Sequence, residues 1–232
     1  MAAFNIGSGF SIGSGWQFSQ SLGVITTGLI LNVDAGNTSS YSGSGSTWAD
    51  LSGQGNNTTL TGTTPFTSSG NTSYFTFSSG YAVSGAILPA AAYTKVAIFQ
   101  VSGNYNNIIS GGVTGGDHAF WGAGTQYLQS GHNGAWTTVV SPITTPLNQW
   151  VFGAVSFNTS TGWRLYLNQN TVITSASTTT FSATPAVLEI GAYQNGTNLN
   201  GKVAASLIYN RALTDDEISQ NYNYYKTRFG LA

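Results

Sequence analysis

The chain has 232 residues, no Cys, 6 Lys and Arg against 7 Asp and Glu, and a charged fraction of 6% where about 25% is usual. Zero Cys excludes disulfide frameworks, thiolate metal sites and Cys nucleophiles, and a net charge of −1 provides no basic field for a nucleic-acid backbone. A globule of this size buries on the order of 70% of its unfolded surface, enough for one core without cross-links. No run approaches the roughly 18 apolar residues of a membrane span. Met1 to Asn5 shows neither a cationic n-region nor an apolar h-region, so the expectation is a chain made without a secretory leader.

Residues 1–25 read as an extended arm. The unit Phe-x-Ile-Gly-Ser-Gly occurs twice, from Phe4 and from Phe10, and Trp16-Gln17-Phe18 follows, with no charge throughout. Gly-Ser pairs make such a segment pliable, while Phe4, Ile6, Phe10, Ile12, Trp16 and Phe18 are too apolar for a linker in water. Two readings stand: an edge strand of the same domain, or an arm laid on another subunit by strand addition.

Residues 26–232 read as one all-β domain. Short apolar runs bounded by Gly, Ser and Asn predict strands at 29–33, 74–77, 94–101 and 107–110, then at 149–157, 162–168, 186–193 and 201–209. Roughly a dozen strands are expected. One helix is predicted over 214–229. Thr214-Asp215-Asp216-Glu217 forms a capping box, and Ile218, Tyr222, Tyr225 and Phe229 make one apolar stripe for docking on the sandwich.

Three stretches carry a family resemblance. Residues 29–37 (LILNVDAGN) with Trp48 to Asn57 (WADLSGQGNN), and the close Tyr209 to Ile218 (YNRALTDDEI), resemble the opening and closing elements of laminin G-like domains of bacteria and phages. The resemblance covers about residues 28–229 and implies a concanavalin A-like, two-sheet jelly-roll sandwich with one short C-terminal helix. Without the family, Asp50 and Ser52 suit an Asx-type turn at Gly53 and Gly55, and Arg211 suits hydrogen bonding to loop carbonyls or pairing with an acid. Some relatives hold calcium in sandwich loops, which makes Asp34 and Asp50 the residues to inspect; no metal or cofactor is otherwise expected.

Catalysis finds little support. Glycosidases need two facing carboxylates, and related jelly-roll glucanases carry Glu-x-Asp-x-x-Glu, whereas Glu189 stands alone in Val187-Leu188-Glu189-Ile190. Asp117-His118 and His132-Asn133 lack a nucleophile elbow. The expectation is a non-enzyme. Residues 115–136 gather Asp117, His118, Trp121, Tyr127, His132, Asn133 and Trp136, either as core and subunit contacts or as aromatic and polar groups for glycan contact.

Such domains with sparse charge and a Gly-Ser arm are similar to virion proteins of tailed phages, cyanophages above all. That resemblance implies a capsid decoration or cement protein on the virion head, anchored through its arm to coat protein and associating with itself into an oligomer such as a trimer. The alternative is a lectin-like module of a tail fibre or head appendage that contacts host polysaccharide.

Overall fold

A computed structural model describes residues 23–104, 107–111, 117–122, 126–180, 187–194, 196 and 198–232. In chain order the strands are β1 (Leu29–Asp34), β2 (Thr47–Trp48), β3 (Thr58–Thr63), β4 (Phe66–Thr67), β5 (Tyr74–Phe77), β6 (Ser79–Ser84), β7 (Ala92–Val101) and β8 (Ile109–Ser110). They continue with β9 (His118–Gly122), β10 (Tyr127–His132), β11 (Ala135–Thr144), β12 (Val151–Asn158), β13 (Gly162–Leu167), β14 (Asn170–Ser175), β15 (Leu188–Ile190) and β16 (Gly201–Tyr209), followed by helix α1 (Asp215–Phe229).

The back sheet runs β14-β13-β12-β7-β16-β5-β4, with β1 beside the second half of β16. The front sheet consists of β2-β3-β6-β15-β8 and the ribbon β9-β10-β11, joined by the bridges Asn107↔Trp121 and Gly111↔His118. All ladders are antiparallel. The chain is a jelly-roll sandwich.

Two cores share the back sheet. Trp163, Leu165 and Leu167 of β13 face the front sheet beside Tyr93, Ala97 and Phe99 of β7. The alternate residues, Tyr166 of β13, Val96 and Ile98 of β7 and Phe152 of β12, face α1. That double burial explains why β7 and β12 read as nearly continuous apolar runs, a pattern proper to strands covered on both sides.

The helix forms as its sequence dictates. Thr214 caps it, accepting from Glu217 N while the Glu217 carboxylate accepts from Thr214 N, and Gly230 closes it at φ 60 in the left-handed region. Ile218, Tyr222, Tyr225 and Phe229 are buried against the back sheet. Arg211 fulfils both roles its position suggested: its Nε donates to Thr27 O at 3.0 Å and its two terminal nitrogens grip Glu217 at 2.6 and 2.7 Å.

Several strands are absent from the sequence reading. β3, β6 and β11 are rich in Ser, Thr and Gly, so their composition looks like turns, and only pairing within the front sheet makes them strands. The run expected at 186–193 pairs only over Leu188–Ile190, because Gly191 turns the chain at φ 85. A Cβ there would lie 2.5 Å from Phe77 Cδ1.

The arm residues Phe4, Ile6, Phe10, Ile12, Trp16 and Phe18 lie outside the described residues. Residues 23–25, counted with the arm in the sequence, are bound to the domain itself. Ile25 N donates to Asn221 Oδ1 at 2.8 Å, Ile25 O accepts from Tyr209 Oη at 3.0 Å, and Gly23 O accepts from Gln220 Nε2 at 2.8 Å. Val24 and Ile25 pack against the helix-side core.

Candidate functional site

Helix α1 covers the outer face of the back sheet; the front sheet has a different outer face. Period-two alternation sends Ala82, Leu188, Ile190, Ile109, Phe120 and Leu128 into the core. The intervening residues point the other way. By register they form rows: Thr59, Val83, Glu189 and Ser110 in one, Trp121 and Gln129 in another.

At one end of this face four residues from three segments meet. Trp121 Nε1 donates to Trp136 O at 3.1 Å. The Trp136 ring lies 6.2 Å from that of Tyr193, tilted by 57°, and the Tyr193 hydroxyl donates to Asp117 Oδ2 at 2.6 Å. Asp117, Trp121, Trp136 and Tyr193 are all half-buried. Their arrangement presents apolar ring area beside a carboxylate, the combination that stacks on and hydrogen-bonds polyhydroxylated ligands.

Two acidic side chains bear on this surface. Burial raises the Tyr193 phenol, and the hydrogen bond and charge of Asp117, then the charge of Glu189, raise it further. Asp117 Oδ1 is buried with no hydrogen-bond partner among the described residues. Glu189 itself is 2% exposed, so it acts on the surface through its field rather than by contact.

The other residues marked in the sequence go elsewhere. His118 and His132 face inward and are buried, which takes them out of any surface site. His118 Nδ1 lies 2.6 Å from Lys95 Nζ, and His132 bridges Tyr93 Oη at 3.1 Å and Thr179 O at 2.7 Å. Their strands alternate with aromatics on both faces, so spacing gave no sign of which set lay inside. Asn133 is a turn residue at φ 53 whose side-chain amide donates to Thr180 O. Tyr127 is half-buried on β10, opposite Thr144. Tyr193 and Gln129 were not singled out from the sequence, and Tyr193 had no signal beyond an aromatic at the end of an apolar run.

The two calcium-candidate acids are structural. Asp34 accepts a bidentate pair from Arg228, with a further bond from Gly36 N at 2.9 Å. Asp50 accepts from Asn32 N, Ser52 N, Ser52 Oγ and Asn56 N at 2.6 to 3.1 Å. These are the Asx-type bonds expected at the Gly53/Gly55 loop. Among the described residues, no three His, Asp or Glu side chains group as metal ligands.

The sequence profile of the concanavalin A-like lectin/glucanases superfamily, of laminin G type, matches residues 61–219. The chain belongs to this superfamily. Several solved structures share the concanavalin A-like fold. A mutant of Trypanosoma rangeli sialidase displaying trans-sialidase activity is 16% identical with a TM-score of 0.66, over 90% of this chain and 34% of that one. Domain 4 of AbnA, an extracellular arabinanase from Geobacillus stearothermophilus solved with arabinotriose, is 14% identical with a TM-score of 0.66, over 84% of this chain and 98% of that one. The binding domain of Paraclostridial Mosquitocidal Protein 1 is 11% identical with a TM-score of 0.60, over 86% and 53%. The chain therefore spans about a third of the sialidase it resembles. No curated protein sequence matches it.

Proposed function

We propose that this domain is a non-catalytic carbohydrate-binding module whose ligand lies on the outer face of the front sheet, over Trp121, Trp136 and Tyr193. The observation that carries the reading is the half-buried aromatic group with Asp117 bonded at its edge. Likeness to an arabinanase domain solved with arabinotriose, almost all of which the chain covers, adds support. The non-catalytic part rests on the acids. Glu189 is 2% exposed and Asp117 is tied to a phenol, so neither is free to flank a scissile bond as glycosidase carboxylates must. A glycan array is the test, with Trp121→Ala and Trp136→Ala checked for folding by circular dichroism. Retention of a glycan by the native domain and its loss in both variants is the expected result; equal retention in all three overturns the assignment.

The N-terminal sequence favours a second reading that combines with the first. The doubled Phe-x-Ile-Gly-Ser-Gly unit carries no charge, and residues 23–25 hold the start of the domain against α1. In this reading residues 1–22 fasten the domain to coat protein and to copies of itself, in trimers, as decoration of a phage head. Deleting residues 1–22 is expected to leave a folded domain that no longer binds particles; undiminished particle occupancy rejects the reading.

A further inference from the structure

The distribution of charge over the fold is lopsided. All six cations of the chain are Lys95, Arg164, Lys202, Arg211, Lys226 and Arg228, and each belongs to the back sheet, to α1 or to the link between them. Arg164, Arg211 and Arg228 pair with Asp215, Glu217 and Asp34. Lys202 and Lys226 lie over the rings of Tyr74 and Tyr222. Lys95 is sealed between the sheets, where burial lowers its pKa and disfavours its charge. The front sheet thus has no Lys or Arg of its own, while Asp117 and Glu189 stand at or beneath its outer face.

A carboxylate without a cation in a partly desolvated setting projects a strong field, because little solvent screens it. Asp117 is held in that condition: Oδ2 takes the Tyr193 proton donor and Oδ1 is buried without a partner among the described residues. Tyr193, bonded to Asp117 through the hydroxyl, and Trp136, whose ring lies 6.2 Å from that of Tyr193, are aromatic rings of the kind that attract cations to their faces through their quadrupoles. Both effects favour positive charge in the ligand and oppose negative charge.

Resting on the carbohydrate-binding reading, we propose that this surface selects amino sugars bearing a free ammonium over their neutral counterparts, and rejects uronic and sialic acids. The ammonium is attracted by the aromatic rings of Trp136 and Tyr193 and by the Asp117 carboxylate, which no cation neutralises.

The test is isothermal titration of the native domain with matched tetrasaccharides of glucosamine, glucose and glucuronate, and of galactosamine, galactose and galacturonate. Within the series that binds, the amino sugar is expected to bind about tenfold tighter than the neutral one, and the acidic one at least tenfold weaker than the neutral. High salt is expected to shrink the first ratio in the native domain. Asp117→Asn, which keeps an acceptor for Tyr193, is expected to bring it towards one. A neutral or acidic sugar bound as tightly as the amino sugar overturns this proposal alone, as does a ratio that neither salt nor Asp117→Asn alters. Failure of all six to bind overturns the glucose- and galactose-type amino-sugar assignment, and an array blank for every glycan overturns the carbohydrate reading beneath it.

Discussion

Lys95 Nζ lies 2.6 Å from His118 Nδ1 between the two sheets, and both residues are fully buried. Tyr93 and His132 complete the group, with His132 T-stacked on Phe157 at 4.8 Å. A second proton on this cluster would place like charges together in an apolar core.

The first prediction is therefore loss of stability in acid. Burial, then the nearby Lys95 charge, lowers His118, and burial lowers His132 from 6.5 to about 4 against the partial opposition of Thr179 O. A base whose folded pKa is depressed contributes full stability above its unfolded value and loses it as pH falls. The contribution of the two imidazoles to the melting temperature should be constant above about pH 6.5 and be lost between there and about pH 4, on top of any rise towards alkaline pH that Lys95 imposes. A flat melting profile across that window in differential scanning calorimetry would refute it.

Lys95→Met should stabilise the fold at neutral pH. Its amine is protonated in the unfolded chain but disfavoured as a cation when buried, so at neutral pH folding carries a desolvation penalty, fading only as pH rises towards 10.5, that an isosteric apolar chain removes. The gain should be about 1 kcal/mol or more by urea denaturation. A clear loss would mean that the bond to His118 outweighs desolvation.

The helix dock is a third point of attack. Tyr222 is fully buried, packs at 5.8 Å on Phe152 and donates to Ala232 O at 2.8 Å. Tyr222→Asp or Ile218→Asp buries a charge in the helix-side core and should cost about 3 kcal/mol or more. Native-like urea midpoints in both variants would show that α1 is not docked as described.

A fourth prediction concerns Asp34 and Asp50. Every oxygen of the two carboxylates already accepts from N–H or O–H donors, leaving no room for an oxygen-seeking cation. Calcium and chelators should leave the melting temperature unmoved. Asp34→Ala, by contrast, strands Arg228 in a mostly buried position and should cost about 3 kcal/mol. A calcium-dependent rise in melting temperature contradicts the first expectation, and a neutral Asp34→Ala the second.

The all-β class, the capped terminal helix and its apolar stripe were legible in the chain, because each depends on spacing within one element. The Asp50 turn and the Arg211–Glu217 pair were legible for the same reason, since Ser52, Asn56 and Glu217 lie within six residues of them, whereas Asn32 and Thr27 reach Asp50 and Arg211 through the fold. The candidate surface was legible only in part. Asp117, Trp121 and Trp136 fall in one suggestive stretch, but Tyr193 joins them from 76 positions beyond Asp117, brought there by the pairing of β15 with β8 and the bridges from β8 to β9. Alternation along β9 defines two sets of side chains without saying which faces water. Packing against the back sheet decided that, sending His118 and Phe120 inward and Trp121 outward, because register and burial are settled by partners distant in the chain.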